Sequence, residues 1–418
     1  MDGRLQTETV NLLHPMLRHA SHRYVDNFRG FSREIWILAG ITFVNRAGAM
    51  VIPFLSKYLH EDLHFSLSDV GTVMMAFGAG SLLGSFIGGR LADRIGFYKV
   101  MVFSLFTNGL LLFALERIHS FTGLCLGIFL TMTVADMFRP AMFVSVASYA
   151  TPETRTRAFS LVRLAVNLGF AAGPALGGLL ILGIGYSGLF WVDGATCILA
   201  ITVFALLVKE RNADPKSQVV IPEHVGRTPW NDRVYWLFLF VSFLGALVFF
   251  QILSTFPIYT RDGFGFTEFE TGLLMTLNGL LVFLCEMPIV GFFERKHVDR
   301  LKVMLWGMLV LAFGYVALWV GGPYGVLIVY TVAMSYGEMF LFPFSNSFAN
   351  HRAPAHVKGA YMALFTMTFS FAHIVGAKLG LETVDRFGYT ANWALMSALA
   401  LLGAGCCLLL QRRIQQGD

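Results

Sequence analysis

Seven ionisable side chains fall deep inside long apolar stretches: Arg46, Asp136, Arg139, Glu286, Glu338, His373 and Lys378. A charge at the centre of a bilayer costs roughly 2.5–3.5 kcal/mol on insertion scales, so each is a candidate for function. A carboxylate between apolar walls and a nearby cation can gain and lose a proton, whereas a buried cation can hold an anionic group. Asp136 and Arg139 are three residues apart on one helix face, and a structural ion pair and a functional pair are both open readings. Glu338 has no cation at helical spacing and needs a partner from another helix, or a proton. Proton carriage is therefore assigned to Glu338 first, with Asp136 and Glu286 behind it. Arg46 and Arg139 are candidate partners for an anionic group on a solute, with Asn45, Gln251, Tyr336, His373 and Lys378 as further substrate contacts. Arg163 and Asp193 lie nearer the ends of their stretches, where long side chains reach water, and are read as structural. Phe43, Met50, Phe54, Phe249, Phe250, Met339 and Phe340 surround these groups with a lining that suits amphipathic organic molecules.

The elements that must position these groups follow from composition. Of 418 residues, 56% are hydrophobic and 14% charged, with a mean hydropathy of +0.64, a balance that soluble domains do not have. A membrane-crossing helix needs about 20 apolar residues. Twelve such runs can be placed, at 34–59, 68–88, 98–115, 120–148, 156–182, 188–208, 234–259, 268–293, 301–320, 324–348, 356–380 and 389–410. The predicted fold is an all-α membrane protein of twelve transmembrane helices in two pseudo-symmetric six-helix bundles, 34–208 and 234–410. Around them lie an arm at 1–33, a linker at 209–233 and a tail at 411–418. The linker contains Pro215, Pro222 and Pro229 and marks the midpoint. A shift of 202 residues supports the division, pairing Asp136-Met137-Phe138 with Glu338-Met339-Phe340, Gly89 with Gly291 and Pro152 with Pro354.

Basic residues set the orientation. Arms and loops on one side hold 23 Lys and Arg, those on the other side hold Lys57, Arg117, Arg261 and Arg386, and the remaining 4 of 31 fall within runs. By the positive-inside rule both termini are cytoplasmic. The net charge of +5 reflects this bias and gives no argument for a nucleic-acid partner. The arm, with Arg4, Arg18 and Arg23, lacks a short apolar core followed by a cleavage site and is read as a cytoplasmic extension. The five cysteines show no Cys-x-x-Cys spacing, so neither a disulfide framework nor a metal site is expected. His60, Glu61, Asp62 and His64 are read as a hydrated loop.

Gly89-x-Leu91-Ala92-Asp93-Arg94-x-Gly96, between the second and third runs, is read as a tight polar turn. It resembles the loop between helices 2 and 3 of major facilitator superfamily transporters, although Phe97-Tyr98 stands where that family usually has a basic pair. The resemblance implies a gate made by Gly89, Asp93, Arg94 and Gly96, with Asp93 meeting the inner end of the eleventh helix and Arg155 close by. The fifth run carries Gly169, Gly173, Pro174, Gly177 and Gly178, which is similar to the helix 5 motif of drug:proton antiporters. The same residues would also make a flat packing face. Gly337-Glu338 through Pro343, with Gly359 to Met362, is similar to helices 10 and 11 of proton-dependent oligopeptide transporters.

These resemblances imply a proton-coupled secondary transporter of the bacterial inner-membrane type, monomeric, working by alternating access on a small-molecule substrate. Export of a drug or metabolite by antiport leads, and proton-coupled uptake of peptides or another nutrient is the alternative. A non-transporting receptor or scaffold with the same fold is the reading from another class. No Gly-x-x-x-x-Gly-Lys-Ser/Thr motif is present, so ATP is not the expected driver. No nucleophile and base pair emerges, so neither an enzyme nor a cofactor is expected.

Overall fold

The computed structural model describes residues 30–151, 154–210, 228–354 and 358–416. Most of the predicted arm and linker lies outside the described residues, as do the side chains of the two expected gating residues Asp93 and Arg155. Within them no strand occurs, and the helices are α1 Arg33–Gly48, α2 Val51–Lys57, α3 Leu67–Ile95, α4 Phe97–Leu115, α5 Phe121–Asp136, α6 Phe138–Tyr149, α7 Arg155–Leu207, α8 Arg233–Phe249, α9 Thr255–Phe264, α10 Glu268–Arg295, α11 Arg300–Val320, α12 Gly325–Arg352 and α13 Lys358–Gln415. They form ten continuous or kinked segments long and apolar enough to cross a membrane. Large apolar side chains such as Leu126, Leu206 and Phe313 are exposed on the outside, as a lipid environment permits.

Local chemistry starts each helix. Ser66 accepts the Asp69 amide at 3.1 Å, and Thr267 with Glu270 forms a reciprocal capping box that opens α10, satisfying amides that have no partner inside the helix. α7 and α13 each contain one residue that is not helical, Gly185 (φ 73°) and Gly388 (φ 81°). Such a backbone carries a Cβ only with strain, so glycine is the residue that can kink the helix there.

Two long helices are broken at matching places. α1 stops at Gly48 and α2 begins at Val51, while α8 stops at Phe249 and passes through a 3₁₀ turn, Phe250–Leu253, before α9. Ala49 and Gln251, in the two breaks, are related by the same 202-residue shift found in the sequence. Buried side chains gather into two hydrophobic clusters. One runs from Ile35 to Val208 and takes in Ile258, Ala377, Leu381 and Val384; the other runs from Val234 to Leu410.

The glycines of the fifth run pack α7 between α1 and α10. A Cβ at Gly169 would come within 2.9 Å of the Ala47 amide nitrogen, and one at Gly177 within 3.1 Å of Met50 Cβ. On the other face, a Cβ at Gly178 would come within 2.7 Å of Phe269 Cα. This is the close approach of small residues that membrane helices use for contact.

Three sequence-based boundaries change. The stretch Gly88 to Ile95 is helical, and the turn is confined to Gly96 (φ 91°); Arg90 and Arg94 are exposed at a helix end where water can solvate them without unwinding it. Lys57, expected in a loop, is fully buried at the end of α2 and is followed by a π-turn, Tyr58–Asp62. His60 also belongs to that turn, its Nδ1 2.8 Å from the Phe65 carbonyl.

At the end of the molecule that carries the linker, Asp232 caps α8 by accepting the Tyr235 amide at 2.9 Å. The Arg352 guanidinium donates twice to it, at 2.7 and 2.8 Å, and the Tyr361 hydroxyl donates at 3.1 Å. Burial pushes this carboxyl up, but the Arg352, Tyr235 and Tyr361 hydrogen bonds outweigh it and hold it below the usual carboxylate value. A depressed folded pKa adds stability above the unfolded value of 3.8, and that stability disappears as pH falls through the folded value. Asp232→Asn is expected to lower the melting temperature at pH 7 and to flatten its fall below pH 4, as checked by thermal unfolding in detergent. A decline with pH as steep as that of the wild type would assign the acid sensitivity to other groups.

Candidate functional site

A cavity of about 260 Å³ opens where the two hydrophobic clusters meet. The break between α1 and α2 forms one wall through Asn45, Arg46, Ala49 and Val51; the 3₁₀ turn after α8 supplies Phe250 and Leu253, and α13 supplies Phe369, Ser370 and His373. Asp136 and Arg139 line it from the adjoining ends of α5 and α6, and Asp193 and Cys197 line it from the second part of α7.

The polar groups are held by specific contacts. Arg46 lies with its guanidinium carbon 5.4 Å from the centroid of Phe170, within range of a cation–π attraction, and its Nε is buried without a hydrogen-bond partner. Asp136 accepts a hydrogen bond from Ser81. Asp193 is 5% exposed; the Cys197 thiol lies 3.7 Å from its Oδ1, and the amides of Asn45 and Asn108 each donate to Cys197 Sγ at 3.5 Å. His373 is stacked between Phe77 and Phe250, with centroids 4.8 and 4.5 Å away.

The cavity therefore gathers Asn45, Arg46, Asp136, Arg139 and His373 from the sequence-based set. No ion pair joins Asp136 to Arg139 among the described residues: Met137 between them keeps helical angles (φ -62°, ψ -28°), but Asp136 is taken by Ser81 and Arg139 is exposed. The other expected groups lie elsewhere. Glu338 accepts from Asn278 at 3.4 Å, and Asn278 also donates to Ser335 at 3.0 Å. Glu286 pairs with Arg163 of α7, so Glu338 and Glu286 belong to the α7, α10 and α12 side of the molecule rather than the cavity wall. Gln251 is fully buried and ties α13 to the 3₁₀ turn by donating to the Gly376 carbonyl at 2.8 Å, while accepting from Thr255 at 2.9 Å. Tyr336 packs edge-on against Phe340.

Lys378 joins α13 to the start of α3. Its ammonium donates to the Ser68 carbonyl at 2.8 Å, to the Ser68 hydroxyl at 2.9 Å and to Thr72 at 3.0 Å. At the same end of the molecule, Lys57 pairs with Glu268 at 3.2 Å and lies 3.9 Å from Glu61. Tyr186 donates to the other side of the junction, 3.2 Å from Glu268 Oε1. These bonds join helices of the first half of the chain to helices of the second at that end.

Sequence reasoning missed Asp193, Asn108, Ser81 and Phe77 in the cavity, together with Asn278 and Arg163 beside the second pair of carboxylates. Asp193 had a legible signal, since it is an acid in an apolar run. Its nearness to the run's end pointed to a solvated position, yet it is buried on the cavity wall.

Ten candidate membrane spans among the described residues and a cavity carrying charged side chains fit a multi-pass membrane protein, and the family comparison agrees. The chain belongs to the Major Facilitator Superfamily, whose model matches residues 36–377 and 264–417. It is 24% identical over 407 residues to the Na(+), Li(+), K(+)/H(+) antiporter of Planococcus maritimus, covering 87% of this chain and 92% of that protein. It is also 24% identical over 330 residues to the quinolone resistance protein NorA of Staphylococcus aureus (strain Mu50 / ATCC 700699), covering 76% and 82%. Among solved structures, a POT family transporter in complex with 5-aminolevulinic acid has the same fold, with a TM-score of 0.78 at 16% identity over 93% of this chain and 98% of that one. Membership of a transporter family sets the chain among carriers rather than enzymes.

Proposed function

We propose that this protein is a proton-coupled secondary transporter that exports a small organic solute by alternating access. The observation that carries the reading is the charged cavity between two hydrophobic clusters, and we read the Lys57, Glu268 and Lys378 contacts that join the two halves as the closure of one end. Such a closure must open for solute to leave, and a carrier of this kind needs two arrangements of the same closure. The antiporter and resistance protein among the relatives support proton coupling and outward movement.

In this reading Gly185 and Gly388 divide their helices, giving twelve spans in two six-helix bundles, 34–208 and 234–410. The two broken helices face each other across the substrate, as discontinuous helices do in other carriers. Glu338 is the first proton-carrying group, with Asp136 and Glu286 behind it, and Asp93 with Arg155 secures the opposite end. The protein is a monomer in a bacterial inner membrane.

Purified protein in vesicles with an imposed proton gradient of each sign tests the proposal. Extrusion of an organic solute against an inward proton gradient is expected; accumulation in the direction of the proton flow would replace export with uptake, and no flux under either sign would sink the transporter reading. The orientation is tested separately. With both termini and the linker cytoplasmic, a single cysteine at Ser217 is expected to react with an impermeant thiol reagent only after the cells are opened. Labelling in intact cells would reverse the topology.

A further inference from the structure

The cavity contains charges of both signs that are not spent on one another. Arg46, Arg139, Asp136 and Asp193 all line it, yet no ion pair among the described residues includes any of the four. Asp193 is buried, Arg46 and Asp136 are partly buried and Arg139 is exposed, and a charge withdrawn from water is costly unless paired and hydrogen-bonded. Two further groups on the same wall lack partners. Arg46 Nε is a buried donor without an acceptor, and Asn108 Oδ1 is a buried acceptor without a donor. Asn108 is only 6% exposed, and its amide nitrogen is already committed to Cys197 Sγ at 3.5 Å. The orphaned oxygen therefore needs a donor from something other than its own neighbours.

A single cation would satisfy Asp193 and Asn108 and leave Arg46 unpaired. An anion alone would do the reverse. Resting on the transporter reading, we infer that the polar wall of the cavity is a two-charge subsite for a small solute carrying an ammonium group and a carboxylate. The ammonium sits against Asp193 and Asn108 Oδ1, and the carboxylate sits against Arg46. The remaining lining, with Phe170, Phe77 and Phe250, takes an apolar body. The cavity of about 260 Å³ lies just below the usual range of roughly 300–1,000 Å³ for ligand pockets, so the solute is compact.

Three probes with one aromatic body separate the charges: L-phenylalanine, phenethylamine and 3-phenylpropionate. On the purified full chain, calorimetry is expected to find L-phenylalanine bound roughly tenfold or more tighter than either singly charged probe, because each charge-assisted contact is lost with its group. Asp193→Asn should bring L-phenylalanine down to the affinity of 3-phenylpropionate, and Arg46→Gln should bring it down to that of phenethylamine. Asn108→Ala removes one neutral acceptor and should weaken L-phenylalanine and phenethylamine by roughly threefold to tenfold while sparing 3-phenylpropionate. The comparison of probes on the wild-type chain decides the matter even if a variant fails to fold. Equal binding of all three probes, or no binding of L-phenylalanine, overturns the subsite. If that happens while another organic solute discharges a proton gradient in vesicles, the subsite is wrong and the transporter reading stands. If no solute discharges the gradient in either direction, the transporter reading fails, and the preference among probes still decides the subsite.

Discussion

Glu338→Gln is expected to reduce gradient-driven extrusion to the leak of empty vesicles while counterflow exchange persists. Glutamine keeps the shape of the side chain and an oxygen for the Asn278 amide, which donates to Glu338 at 3.4 Å, but it cannot take up and release a proton. Substrate contacts in the cavity are left intact, because Glu338 is not part of its wall. Loss of charge at that one hydrogen bond is worth about 1 kcal/mol, so counterflow should stay within a factor of about five of the wild type. The neighbouring pair sharpens the test. Arg163 is already paired with Glu286, so it can hold one carboxylate ionised while the other changes state, and Glu286→Gln should free it for Glu338. Full gradient-driven extrusion by Glu338→Gln would move proton carriage to Asp136, which lines the cavity, or to Glu286.

The second large effect is expected from Glu268→Gln. Lys57 has no accessible surface, and its nearest anion is Glu268 at 3.2 Å, with Glu61 more distant at 3.9 Å. Removing one partner of a buried pair costs about 3–5 kcal/mol because the other charge is left without compensation. Glu61 offsets part of this, so the low end applies, and about 3 kcal/mol is roughly a hundredfold change in the balance between closed and open forms of this end. The charge can escape only by reaching water, which requires the closure to part. Spin labels at Asp62 and Arg261, both exposed at this end, should report a larger long-distance population in Glu268→Gln than in the wild type. Adding Lys57→Met removes the stranded charge and should restore the short distance. An unchanged distribution in the single variant would make the pair a fixture of the fold rather than a gate.

The helices were legible because apolar runs of membrane length have few alternatives, and the breaks near Ala49 and Gln251 lie inside runs that composition had already found. What each charge faces was harder to read. Glu338 and Asp136 correspond under the 202-residue shift, yet one touches Asn278 beside α10 and the other lines the cavity. A repeat in sequence conserves position along a helix but not the neighbours that packing brings to it. Lys57 was read from its charge as a loop residue, and it is buried because Glu268, more than two hundred positions later, supplies a counter-charge. An Asp136 and Arg139 ion pair was one of two readings that helical spacing left open, and spacing alone did not show that Ser81 would take the Asp136 carboxylate. The glycines of the fifth run were legible as a packing face, and packing on α1 and α10 is what the structure gives them.

The kinks at Gly185 and Gly388 bear on how this molecule can be engineered. A chain that turns on a single residue has no slack there, and the φ of 73° and 81° admits hardly any other side chain. An epitope tag or fluorescent domain spliced into either kink would replace a single-glycine joint with a long insertion, so probes belong elsewhere on the surface. The backbone angles at Gly185 also set the direction in which the second part of α7, which brings Asp193 and Cys197 to the cavity, leaves the first.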